Sequence, residues 1–360
     1  MKIIADYYKT SDNILGGVQS KSSLFNLIDP EFKNVSYADA CAAISQPLVA
    51  FEQLRFREWE ANWIIQRYVD LLEKCNPEDL DLVMYNSLCG GYMKHNTRTL
   101  SVVNDNYIEM PERLYAGAYL DNMGFNMYRR MYLKLQLDSF KNADLVVTES
   151  VTDAGMYKDL YGVESTVVEN GVDSSFWSPL DKVECRTKYD IPLDKKVGIF
   201  VGAFTPIKGY HIMQNLVKAH KDVHWILVFK HPLDQNIKSK NVTAAVNANP
   251  ELMRELYSAS DFFVLPSIWE SGHSIATLEA MSCNLPLLVS NVGAYAKSRT
   301  GESMVGYNDF GYVAGEWNTS SFEVGLDSVL TQDFKPRDYL FKRGLDFESY
   351  KKRWVEVIKN

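Results

Sequence analysis

The sequence predicts an α/β protein of two Rossmann-like halves, each a parallel sheet covered by helices on both faces. Three observations carry this. Short apolar runs closed by turn residues alternate along the chain with segments of helical spacing, the order a parallel sheet requires. The alternation breaks once, over 173–195, where Asp173, Ser174, Ser175, Pro179 and Pro192 gather, and then restarts. The chain has 360 residues, enough for two separate cores. The expected domains are 1–172, a connection over 173–195, a second domain over 196–345, and a terminal helix over 346–360 that crosses back to the first domain.

In the first half, Lys2 to Tyr7 reads as a buried strand, followed by a loop with Gly16-Gly17 and a helix from Val18. Gln46 to Cys75 reads as mostly helical. Leu82 to Tyr85, Leu100 to Val103, Leu145 to Thr148 and Thr166 to Val168 read as strands, and Phe125 to Lys141 as a helix. In the second half, strands fall at Val197 to Val201 and Trp225 to Phe229, with helices at Gly209 to Ala219 and Glu251 to Ser258. The end of the chain reads as a short strand, Gly311 to Ala314, then helices at Ser321 to Leu330 and Phe347 to Ile358.

The richest stretch is Asp261 to Ser290. Phe262 to Leu265 is an apolar run closed by Pro266-Ser267; Ser274 to Ser282 puts Ile275, Leu278 and Met281 on one helical stripe; Leu287 to Val289 is the next strand. The polar turn between strand and helix faces a helix N-terminus, whose free N–H groups and positive dipole end suit a phosphate. Glu270 and Glu279 bracket that turn. Amides for a diphosphate and carboxylates for hydroxyls suit a nucleotide sugar.

Composition narrows the partners. A net charge of −8 argues against a general nucleic-acid binder, whose affinity comes from Lys and Arg on phosphates. Five cysteines lie far apart and form no C-x-x-C, which fits a reducing compartment without structural zinc. There is no apolar leader and no membrane-length apolar run, so a soluble, cytoplasmic protein is expected. Arg129, Arg130, Lys134 and Lys141 interleave with apolar residues, leaving peripheral membrane contact open, although a half-buried helix with snorkelling cations accounts for them better. Asp79-Leu-Asp81 precedes a strand rather than following one and reads as a solvated loop, and the six histidines show no metal-ligand spacing, so no metal is implied. The absence of G-x-G-x-x-G counts against NAD.

The Asp261–Ser290 run resembles the signature of family 4 glycosyltransferases, retaining enzymes of the GT-B fold. Pro266, Ser267, Glu270, Glu279, Ala280, Met281 and Pro286 match its pattern, while Asn284 replaces a Gly. Eight residues separate the two glutamates where the family has seven, so either Glu270 is the first glutamate with one residue inserted or Ser271 takes its place. Trp-Glu at the usual distance from Pro-Ser favours Glu270. Gly202 to Gly209 resembles the family's G-R-x-x-x-x-K-G with Ala203 for the Arg. Val167 to Asp173 resembles I-P-N-G-V-D with Glu169 for the Pro, and Asn104-Asp105 stands where the family often has a His-containing pair.

The resemblance implies metal-independent, hexosyltransferase-type transfer with retention, from a nucleotide-diphosphate sugar to a glycan or lipid-linked acceptor. The first domain would take the acceptor and the second the donor, with no cofactor because the nucleotide sugar is a substrate. Lys208 and Gly209, with N–H groups of Gly17, His273 and Ser274, would hold the diphosphate; Gly16, Ser271 and Gly272 complete the donor-binding set. Glu279 would bind the ribose, Glu270 the transferred sugar, and Asn104 and Asp105 the acceptor side. The base would be read within Lys230 to Ala248. A nucleotide-sugar epimerase of the GT-B type, another enzyme on twin Rossmann domains, or a non-catalytic nucleotide-sugar binder are the alternatives.

Overall fold

A computed structural model describes residues 1–6, 25, 27–46, 58–75, 78–86, 90, 93–117, 120–229 and 239–360. It divides into two compact units: Met1–Glu149 with Asp153–Val168, and Ser150–Thr152 with Glu169–Asn360.

The first unit holds six parallel strands: β1 (Lys2–Asp6), β2 (Phe32–Ser36), β3 (Leu82–Asn86), β4 (Arg98–Val102), β5 (Leu145–Thr148) and β6 (Thr166–Val167). Their order is β2-β1-β3-β4-β5-β6. Ile3, Ile4, Ala5 and all of β3 are buried, as strands covered on both faces must be. The helices of this unit are α1 (Tyr37–Ala43), α2 (Glu58–Cys75), α3 (Glu109–Ala116), α4 (Asn122–Met127), α5 (Leu133–Asn142) and α6 (Val151–Tyr161). A π-helical turn, Tyr128–Tyr132, joins α4 to α5, so the helix read at Phe125 to Lys141 is present but interrupted. The strand β2 and helices α1, α3 and α6 have no counterpart in the sequence reading. The sequence gives α1 a capping box, Ser36 with Asp39, on a stretch too short for clear periodicity. Gly16, Gly17 and the helix read from Val18 lie outside the described residues.

The second unit holds β7 (Val197–Val201), β8 (His224–Phe229), β9 (Val242–Val246), β10 (Phe262–Leu265), β11 (Leu287–Ser290), β12 (Gly306–Asn308) and β13 (Gly311–Ala314). The order is β12-β13-β11-β10-β7-β8-β9, parallel apart from the β12–β13 pair. Without β12 this is the 3-2-1-4-5-6 order of a dinucleotide-type sheet, whose direction of growth switches between β7 and β10. Around it pack α7 (Lys182–Lys188), α8 (Tyr210–Ala219), α9 (Pro250–Ala259), α10 (Ile275–Ser282), α11 (Thr319–Thr331), α12 (Pro336–Arg343) and α13 (Phe347–Lys359). Trp225, Tyr257, Phe262, Phe263 and Phe322 are fully buried in one core.

The stretch read as a connection, 173–195, groups with the second unit and contains α7. The buried Arg186 anchors it: Nε donates to Ala259 O at 2.8 Å and Nη2 pairs with Asp261 at 2.7 Å. The terminal helix also groups with the second unit. Val172 bridges to Asp346, and a Cβ on Gly171 would lie 2.4 Å from Cβ of Tyr350.

Candidate nucleotide-sugar site

The switch point of an open parallel sheet is where a ligand crevice forms, outside the carboxyl ends of the strands on either side. In the second unit those strands are β7 and β10, and the loops leaving them carry the two motifs singled out in the sequence. The loop after β7 starts at Gly202, whose N–H donates to Val228 O at 3.1 Å, and ends in a 3-10 turn, Pro206–Lys208. Gly209 then enters α8 at φ +67°, and a Cβ there would stand 1.8 Å from Pro266 O. Gly209 is therefore needed for its left-handed backbone and for the close approach of two loops. Trp317 Nε1, from the loop after β13, donates to Pro266 O at 2.7 Å, and Ile268 N–H donates to Ile207 O at 2.8 Å, tying the two loops together.

That contact brings Lys208 to Glu270. Their side chains form an ion pair, and Ser267 Oγ donates to the same Glu270 oxygen at 2.6 Å. Glu270 is buried and Lys208 half-buried. The turn Ser271–Gly272–His273 leads into α10, capped by Ser274, whose Oγ accepts the N–H of Thr277 at 3.3 Å. The N–H groups of Gly272, His273 and Ser274 find no acceptor among the described residues. A half-buried cation thus stands beside a turn of open amides at a helix N-terminus, the arrangement that holds phosphate.

Glu279 sits one helix turn and more along α10, partly buried, where Tyr257 Oη donates to its Oε2 at 3.0 Å. Burial pushes its carboxyl up to about 8, against the pull of that hydrogen bond. Asn104 and Asp105 belong to the first unit. Asn104 is buried at the end of β4, and its amide donates to Asn86 Oδ1, from the end of β3. Asp105 is partly buried, and its carbonyl takes the amide of Gln136, a buried residue that also accepts Tyr157 Oη at 2.6 Å.

Four residues that hold or crowd the turn into α10 were not given that part by the sequence. Gly293, at φ +54°, lies so close that a Cβ would stand 2.6 Å from Glu270 O and 2.9 Å from Gly272 O. Thr152 Oγ1 donates to Gly293 O at 3.0 Å. Asn170 Nδ2 donates to His273 O at 2.9 Å. Glu169 is buried under the His273 ring and takes Arg299 Nε at 2.9 Å and Arg343 Nη2 at 2.8 Å. Burial pushes the Glu169 carboxyl up, but His273, Arg343 and Arg299 outweigh it and hold it at about 2. Only the replacement of Pro by Glu in the I-P-N-G-V-D-like segment signalled this cluster. Of the stretch expected to read the base, 230–238 lies outside the described residues, and β9 occupies much of the remainder.

Two Rossmann-like parallel-sheet units, the second with a cationic, amide-lined turn at its switch point, define the GT-B class. Residues 195–316 match the family described as Glycosyl transferases group 1, and the resemblance to family 4 glycosyltransferases holds over that stretch. The chain is 27% identical over 193 residues to the D-inositol 3-phosphate glycosyltransferase of Acidothermus cellulolyticus, covering 47% of this chain and 43% of that one. It spans less than half the length of such curated relatives. Among solved structures, sucrose-phosphate synthase from Thermosynechococcus elongatus superposes with a TM-score of 0.76 at 14% identity, covering 100% of this chain and 98% of that one. Anabaena HepE in complex with UDP-glucose gives 0.64 at 14% identity, over 99% and 98% of the two chains. At these identities the structural likeness speaks for the fold. No helix among the described residues is long and apolar enough to cross a membrane.

Proposed function

We propose that the chain is a retaining, metal-independent glycosyltransferase that moves a sugar from a nucleotide-diphosphate sugar to a hydroxyl of a glycan or lipid-linked acceptor. The observation that carries this is the Lys208–Glu270 ion pair, two residues ahead of a turn of open amides, Gly272 to Ser274, at the switch point of a 3-2-1-4-5-6 sheet. The diphosphate sits against these donors. As the glycosidic bond breaks, negative charge builds on the leaving phosphate oxygen, and prearranged donors there lower the barrier. Glu270, already beside Lys208, accepts hydrogen bonds from the transferred sugar. Glu279 takes the ribose hydroxyls, with Tyr257 fixing its orientation. Gly16 and Gly17, outside the described residues, would add backbone donors, as the family resemblance implies. Asn104 and Asp105 orient the acceptor hydroxyl, whose proton goes to the leaving phosphate on the face from which the sugar departs. HepE has been captured with UDP-glucose, which makes UDP-glucose the first donor to try. A cytoplasmic location is part of the proposal, supported by the buried thiols of Cys41, Cys185 and Cys283, none of which forms a disulfide.

The test is thermal stability against UDP, GDP and ADP, then product analysis with the matching sugar nucleotide and a panel of glycan and lipid-linked acceptors. A ligand at 100 times its Kd adds about 2.7 kcal/mol. One nucleoside diphosphate should stabilise the wild type and not Lys208→Ala, and NMR of the product should show the donor's anomeric configuration kept with EDTA present. Stabilisation that survives Lys208→Ala, or an inverted product, would defeat the proposal.

A further inference from the structure

Glu169 and Asn170 lie 103 residues or more before His273, yet both close on it. Asn170 holds its carbonyl at 2.9 Å, and Glu169 Oε1 lies 3.6 Å from its Nε2. His273 is 2% exposed, and neither ring nitrogen has a hydrogen-bond partner. The ring edge packs against Tyr295, centroids 4.9 Å apart. Arg343 Nη2 holds the same Glu169 Oε1 at 2.8 Å and Arg299 Nε holds Oε2 at 2.9 Å, while Arg353 Nη2 donates to its backbone carbonyl at 3.0 Å. A buried carboxylate with two guanidinium partners is a poor choice for packing alone, because apolar residues fill such a space at less desolvation cost. A buried imidazole left just beyond hydrogen-bond reach of that carboxylate is equally unexplained by packing. A shift of the turn by a few tenths of an ångström would complete the bond.

We propose that Glu169 and Asn170 are positioning residues for the donor turn. They grip His273 by ring and carbonyl, so that the N–H groups of Gly272 to Ser274 are set for a diphosphate before it arrives. The inference rests on the glycosyltransferase reading of the same turn. Pre-ordering of this kind raises affinity by removing the cost of ordering on binding.

Calorimetric titration of the whole chain with UDP, GDP and ADP tests it, on the wild type, Glu169→Gln, His273→Phe, the double variant and Asn170→Ser. Each single variant should bind the preferred nucleotide about tenfold more weakly, the scale expected from losing the pre-ordering of one or two side chains. Glu169→Gln should add little in the His273→Phe background, since a residue acting through another loses its effect when that other is gone. Asn170→Ser leaves the Glu169 ion pairs in place and carries the test where Glu169→Gln does not fold. Unchanged affinity in the folded variants, or fully additive losses in the double variant, would overturn the inference. A wild type that binds none of the three nucleotides would overturn the glycosyltransferase reading and this inference with it.

Discussion

Replacing Glu169 with glutamine removes one negative charge from a buried site that keeps two guanidinium groups. The carboxyl falls from 4.5 to about 2 on folding, even though burial works the other way. At 1.36 kcal/mol per pH unit, this corresponds to about 3 kcal/mol of stability at neutral pH. Glu169 is 4% exposed, so solvent screening takes little from that figure. Removing one partner of a buried ion pair costs roughly 3–5 kcal/mol, in agreement. For a domain the size of the second unit, each kcal/mol moves the melting temperature by about 2–4 °C, so Glu169→Gln should melt roughly 6–12 °C lower at pH 7. The sign with pH follows from the lowered value. The stabilisation is complete above the unfolded carboxyl's range near 4.5 and is lost as pH falls toward about 2. The wild type should therefore lose stability more steeply than the variant between pH 5 and 3. Urea and thermal melts across that range read both effects. A melting shift under about 2 °C at pH 7, with parallel acid profiles, would show that the carboxylate contributes nothing net.

Gly209→Ala forces a Cβ to within 1.8 Å of Pro266 O and an alanine into φ +67°; a loss of at least about 2 kcal/mol should appear in urea titration, and a neutral result would mean the two loops do not touch. Gly293→Ala pushes on the carbonyls of Glu270 and Gly272; kcat/KM should drop by about a hundredfold, as expected for a reacting group displaced by an ångström, and should fall more than stability does. The raised carboxyl of Glu279 means that the folded chain holds a proton the unfolded chain releases, so its contribution to stability falls as pH climbs from 4.5 through about 8. Glu279→Gln should flatten that decline between pH 5 and 9 in urea midpoints, whereas an unchanged slope would place the carboxyl in an ordinary aqueous setting.

Strands β7, β10 and β13 were legible to the residue, because a strand buried on both faces is a continuous apolar run bounded by turn residues. The strand, polar turn and capped helix of Asp261 to Ser290 were legible for the same local reason, being contiguous. So was the place of Lys208 just ahead of a helix, since its spacing from Gly202 is local too. What contiguity does not encode was missed. The strand β2 is short and half polar, with Lys33 and Asn34 in its middle, and α7 is short and mostly charged; neither shows a period that stands out from loop. The Lys208–Glu270 pair joins residues 62 apart, and the Glu169–His273 approach joins residues more than a hundred apart. No pattern along the chain announces either, because each exists only where the parallel order lays the ends of separate strands side by side. Gly293 shows the division most plainly. In the sequence it is an ordinary glycine after a strand, and only the approach of two carbonyls from another loop means that a Cβ there must push them aside.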